Sequence, residues 1–205
     1  HLNHGLSGVL SVRGMHCAKA NIITDPNGTQ FTAFSPGPEV DMATWASHLQ
    51  SQPFGSMDIF VCAPFPIPLM QSALNITKAS NPNIFNLWVP GQYADSMQAD
   101  ELRIAVKACD LLVGNAHEID HIRRTAPGCL TGKSVIETDG ARPVRALLSD
   151  GNQRTLPTPA VSPVVAPTGC GDAFVAGLIP TLMQTFDTLD SVRWEQKINA
   201  IVRAG

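Results

Sequence analysis

With 205 residues, of which 44% are hydrophobic and 15% charged, the chain has the composition of a folded globular protein and too little charge for a disordered one. Its formal net charge of -3, with no five-residue run of Lys or Arg, excludes the basic footprint that nucleic acid requires. No apolar run approaches the roughly 20 residues of a membrane-spanning helix, so neither nucleic acid nor a membrane is an expected partner.

At this length one core suffices, and a single compact unit spanning residues 1–205 is expected. The five cysteines, Cys17, Cys62, Cys109, Cys129 and Cys170, are odd in number and form no CxxC pair, which suits a reducing, cytoplasmic setting. The amino terminus HLNHGLSG lacks the charged-then-apolar order of a secretory signal. The chain opens on His1 instead of Met and stops at Gly205 directly after an amphipathic stretch, so a fragment or a processed chain is expected.

In chain order, Ala18–Thr24 reads as a strand, Asp25-Pro26-Asn27-Gly28 as a turn and Gln30–Phe34 as the return strand. Two prolines in SPGPEVD end that hairpin, and Met42–Gln50 has helical spacing with Trp45 and Leu49 on one face. Met57–Ala63 is a short apolar run with β-branched residues, as in a strand buried on both faces. The order then repeats: helix 68–79, strand Ile84–Val89, the turn PGQ, helix Ala99–Ala108, strand Asp110–Val113. A short helix follows Asn115, then strand Lys133–Thr138, a hairpin of Val144–Leu148 and Arg154–Leu156, and a long helix from Asp172. Such alternation builds an α/β fold, a mostly parallel sheet flanked by helices, with ligands at the carboxyl ends of the strands.

The stretch PTGCGDAFVAGLI, residues 167–179, sets Gly169, Cys170 and Gly171 before a helix. Backbone N–H groups there converge into a concave nest at the positive end of the helix dipole, which suits an anion. Asp172 falls in the first helical turn, where a carboxylate beside bound phosphate can take a proton from an attacking hydroxyl. The plainer reading is a tight loop with Asp172 as a capping residue.

APTGCGDAFVAGL resembles the second signature of the PfkB or ribokinase family of sugar and nucleoside kinases, in which G-[AC]-G-D is followed by an aromatic residue and a glycine, here Phe174 and Gly177. Upstream, VGNAHE resembles the family's N-x-x-E motif (Asn115, Glu118), and VIETDGA its nucleotide-contacting T-x-G turn (Thr138, Gly140). ITDPNGTQFTAFSPG and VPGQ resemble segments of the adenosine-kinase-like branch.

The resemblance implies a ribokinase-like fold with a small β-lid at about residues 16–38 and the α/β core at 39–205. It implies Asp172 as the base on the substrate hydroxyl and Gly169, Cys170 and Gly171 as the anion hole. Asn115 and Glu118 would influence magnesium and phosphate through water, with Thr138, Gly140 and Thr168 toward the nucleotide. ATP and Mg2+ are the implied cofactors, a sugar or nucleoside the substrate with adenosine first, and the lid a surface for a homodimer. A degenerate relative kept as a binding or scaffold protein is the alternative.

Several residues depart from the pattern. Ala166 replaces an aspartate associated with a monovalent-cation site, which argues against potassium activation; Val89 replaces the aspartate of D-P-G-Q; Pro143 sits near where a second glycine often follows the T-x-G turn. Members run to about 300 residues, so the substrate-gripping front and the adenine-closing end are expected to lie outside this chain. Pro180 is expected to kink the last helix.

Two further motifs compete. HEIDH, residues 117–121, matches the H-E-x-x-H of zinc peptidases, but no third ligand follows and Asp120 intrudes. GCLTGKS, residues 128–134, nearly spells a P-loop, yet the required glycine is Pro127 and the stretch precedes a strand instead of a helix. Trp45, Trp88 and Trp194 are expected in the core more than as stacking platforms. Cys170 reads as a small filler of the hole or as a thiol activated by the helix end.

Overall fold

The computed structural model describes residues 8–25, 30–158 and 168–186, in two compact units, 1–52 and 53–205. Most of the expected turn after Asp25, as well as Ala166 and Trp194, lies outside the described residues.

In the first unit β1 (Lys19–Thr24) and β2 (Gln30–Ser35) pair antiparallel, from Lys19 opposite Ser35 to Thr24 opposite Gln30. Ile23 and Phe31 face each other across the ladder, each 67% exposed. Helix α1 (Met42–Gln50) starts at Asp41, whose carboxylate accepts Thr44 N–H at 2.9 Å and Thr44 Oγ1–H at 2.7 Å. Such a cap satisfies an otherwise orphan donor of the first turn and is worth about 1 kcal/mol.

The second unit is built on a six-stranded sheet in the order β3-β4-β5-β6-β7-β8. Its strands are β3 (Ile59–Cys62), β4 (Phe85–Trp88), β5 (Leu111–Asn115), β6 (Ser134–Asp139), β7 (Arg142–Leu147) and β8 (Gln153–Leu156). The first four are parallel and the last two join antiparallel. Helices α2 (Ile67–Ser80), α3 (Ala99–Ala108) and α4 (Ala116–Thr125) link successive parallel strands. Because each crossover of one hand steps to the adjacent strand in the same direction, all three helices lie on one face. Helix α5 (Cys170–Phe186) packs on the other.

Side-chain alternation along each strand produces two cores. Cys62, Trp88, Leu112 and Val135 point into a cluster with Met70 and Leu74 of α2, Leu102 and Val106 of α3, and Ile119 and Ile122 of α4. Leu87, Leu111, Val113, Ile136 and Ala146 point oppositely, against Val175, Leu178 and Leu182 of α5. Each fully buried aliphatic side chain contributes roughly 1.5–3 kcal/mol by leaving water. The buried Asn86 is satisfied on every side: its amide donates to Leu74 O and Ala108 O, and its Oδ1 accepts from Thr77 Oγ1.

The expected elements form, with shifted ends. The PGQ turn continues as a 3-10 helix over Gly91–Ser96. The strand expected from Val144 starts at Arg142, so Pro143 lies next to its first residue, where a missing N–H costs the ladder least. The last helix starts at Cys170, two residues before Asp172, and runs through Pro180 without a break. Cys170 and Gly171 therefore belong to its first turn instead of the loop before it.

Candidate functional site at the carboxyl ends of the strands

Strand β5 ends on Asn115, and α4 begins on the next residue. Asn115 is the cap of α4: its Oδ1 accepts Glu118 N–H at 2.9 Å, while Glu118 Oε2 accepts Asn115 N–H at 3.0 Å and Oε1 accepts from Asn115 Nδ2 at 2.7 Å. This is a capping box, two orphan donors satisfied reciprocally. Partial burial raises the Glu118 carboxyl above its ordinary value, opposed by the bond from Asn115 N–H and reinforced by the nearby charge of Asp95.

Thr138 enters from the neighbouring strand. The parallel register sets Asn115 beside Thr138 and Gly114 beside Glu137, so the N-x-x-E and T-x-G motifs meet at one edge. Gly140 makes the turn into β7 with φ +57°, a left-handed conformation that glycine adopts without strain. Next to Thr138, Glu137 is only 3% exposed and is held by Arg123 of α4 at 3.1 Å and by Arg145 of β7. These three residues, with Val135, Leu147 and Gln153, line a cleft of about 120 Å³.

The first turn of α5 supplies the remaining candidates. Gly169 has φ +83° and its carbonyl accepts Ala173 N–H at 2.9 Å, so it is the last residue before regular helix. Thr168, Gly169, Cys170, Gly171 and Asp172 are all exposed, and a Cβ at Gly169 or Gly171 would meet nothing within 4 Å. The helix thus begins in an exposed turn, its positive dipole end beside a carboxylate whose side chain makes no hydrogen bond or ion pair among the described residues. Through Val175 and Leu178 this helix shares an apolar cluster with Val113 of β5 and Ile136 of β6. The helix bearing Asp172 and the strands bearing Asn115 and Thr138 are therefore anchored in one core.

The profile of the pfkB family carbohydrate kinase matches residues 7–203. The chain belongs to this family. Among solved structures, this pfkB family member is similar to the nucleoside kinase of Burkholderia thailandensis in complex with inosine, with 21% identity and a TM-score of 0.70. It is also similar to the adenosine kinase of Anopheles gambiae in complex with P1,P4-di(adenosine-5) tetraphosphate, with 19% identity and a TM-score of 0.68. A third similar structure is the ribokinase of Cryptococcus neoformans in complex with ADP, with 16% identity and a TM-score of 0.70. The alignments cover 83%, 86% and 84% of this chain and 55%, 61% and 61% of those chains. The chain thus spans little more than half the length of the kinases it resembles. No curated protein matches it in sequence. The fold is ribokinase-like.

Within this pfkB fold the competing motifs have structural uses. His117 and His121 of HEIDH face Asp95, at 3.3 and 3.9 Å, and His121 Nε2 also meets Thr125 Oγ1 at 3.1 Å. Among the described residues no group of three His, Cys, Asp or Glu is placed to hold a metal ion, which does not favour the zinc peptidase. Lys133 of GCLTGKS donates to Lys107 O and Cys109 O at 3.1 and 3.0 Å, closing the carboxyl end of α3 instead of cradling phosphate. Trp88 is fully buried, and Trp45 is half-buried and stacks on His48.

Sequence reasoning passed over Gly114, Asp95 and the Arg123–Glu137–Arg145 cluster. Asp95 is 22 positions from His117, and Glu137 is 14 and 8 from the two arginines, so no local pattern marks them; Gly114 is only four positions before Glu118 but has no left-handed φ to single it out.

The residues present fit a magnesium nucleotide of one kind. Glu118 spends both oxygens on Asn115, so a cation held chiefly by phosphates and its own waters suits the site better than one gripped directly by protein, in keeping with the hydration that Mg2+ retains.

Proposed function

We propose that the protein is an ATP-dependent kinase that phosphorylates a primary hydroxyl of a nucleoside or sugar, with adenosine as the first substrate to try. The observation that carries the reading is the first turn of α5, in which the exposed Asp172 follows a left-handed Gly169 and the exposed, small Cys170 and Gly171 at the positive end of the helix. Asp172 takes the proton from the attacking hydroxyl. The N–H groups at Gly169, Cys170 and Gly171 hold the transferring phosphoryl group, where fixed dipoles stabilise charge at no reorganisation cost. Thr138, Gly140 and Thr168 face the nucleotide. Bound Mg2+ would neutralise phosphate charge, with Asn115 and Glu118 orienting its waters.

Ala166 in place of an acidic residue supports a reaction independent of potassium. The paired, exposed Ile23 and Phe31 support reading the hairpin as the lid element of the family and as the contact of a homodimer. No helix among the described residues is long and apolar enough to cross a membrane, and the family's chemistry belongs in the cytoplasm with its ATP.

The test is turnover of ATP by the purified full-length gene product, since this chain alone is expected to lack part of the substrate pocket, with adenosine, inosine, ribose or fructose as acceptor. Phosphorylated product from one of them, dependent on Mg2+, is expected. Nucleoside binding without any turnover would favour the degenerate relative instead.

A further inference from the structure

Gly114, immediately before the N-x-x-E pair, has no explanation in the backbone. Its φ lies outside the left-handed region, so conformation alone does not demand glycine. Space does. A Cβ at position 114 would lie 3.0 Å from Glu118 Oε2 and 3.1 Å from Ile119 Cδ1, closer than real Cβ contacts comfortably allow. The oxygen it would strike is the one that accepts Asn115 N–H at 3.0 Å. Retreat is restricted on both sides: Ile119 is fully buried, and the other carboxylate oxygen is tied to Asn115 Nδ2 at 2.7 Å.

We propose that Gly114 is a positioning residue: by leaving its side-chain space empty it lets the Glu118 carboxylate fold back onto Asn115, which sets how the pair meets a magnesium nucleotide. The structural half stands on the distances alone; the magnesium half rests on the kinase reading. An alanine at 114 pushes the carboxylate toward solvent, breaks its bond to the Asn115 amide and leaves an acid free to take a cation in a different geometry.

The experiment compares the wild-type protein with Gly114→Ala, Glu118→Ala and the double variant. Two readouts are followed: amide hydrogen exchange at Asn115 by NMR, and the Mg2+ dependence of phosphotransfer. Exchange at Asn115 is expected to quicken at least tenfold in Gly114→Ala while that of Ile122, inside α4, is unchanged, and to quicken no further when the same change is added to Glu118→Ala. The half-saturating Mg2+ concentration is expected to rise several-fold with the KM for the acceptor unchanged. A merely structural glycine would not move that split.

Full protection of Asn115 in Gly114→Ala, or equal acceleration in both backgrounds, overturns the proposal. If Gly114→Ala does not fold, Ile119→Val, which removes Cδ1, decides. Rescue of folding by Ile119→Val would assign the glycine to packing and overturn the proposal; rescue by Glu118→Ala and not by Ile119→Val would support it. A full-length gene product without phosphotransfer sinks the kinase reading, while the exchange comparison still decides Gly114.

Discussion

Replacing Asp172 by Asn separates the chemistry of the first turn of α5 from its stability. The side chain is exposed and makes no hydrogen bond or ion pair among the described residues, so the isosteric amide disturbs no packing. It forfeits only the attraction between a carboxylate and the amino end of the helix, about 0.3–1 kcal/mol at an exposed site. For a protein of this size that is a fall in Tm of at most about 4 °C. A positioned general base contributes roughly 10²- to 10⁴-fold to rate, or about 3–5.5 kcal/mol in the barrier.

The expected result is therefore a kcat lower by two to four orders of magnitude in a protein that melts within a few degrees of wild type. Initial rates of ADP release and differential scanning calorimetry on the same preparation measure both. A loss of less than tenfold would show that Asp172 is not the base. A collapse of the melting transition would show that its role is structural.

Other outcomes follow from the same structure. Glu137→Ala strips a buried carboxylate from two guanidiniums; losing a buried pair costs about 3–5 kcal/mol, reduced here to about 2 because Arg123 and Arg145 are nearly half exposed, and urea unfolding reads it, no measurable change being the refuting result. In native protein iodoacetamide should modify the exposed Cys17 and Cys170 and spare Cys62 and Cys109, whose thiols burial pushes up to about 12; peptide mapping before and after denaturation checks this. Glu118, raised above 4.5 chiefly by burial, binds its proton more tightly folded than unfolded. Its contribution to stability is thus fully present below the unfolded value and is lost as pH rises through the folded one. Glu118→Gln should remove that part of the pH dependence in denaturation curves taken from about pH 4 to 7, and an unchanged slope would refute the assignment.

Local sequence determined the elements and the chemistry carried on consecutive residues. Gly169 to Asp172 reads as a helix start because a left-handed glycine, small residues and a first-turn acid are local demands of the backbone, met wherever that turn lies. Asn115 with Glu118 reads as a pair because a helix brings positions three apart together. The boundary of α5 moved by two residues since Cys170 and Gly171 satisfy helical geometry as well as a loop would.

Only the tertiary structure decided which motifs become neighbours. Asn115 beside Thr138 is a matter of strand register, and register follows from which face of each strand is buried across the whole sheet. The same holds for Lys133, which resembles a phosphate-binding lysine in sequence and caps α3 in the fold. It holds too for Glu137, whose burial depends on arginines from two other elements. Gly114 stands between the two cases: its backbone would accept a side chain, and the crowding comes from Glu118 and Ile119, four and five positions on, one folded back by the local capping box and the other buried in the core.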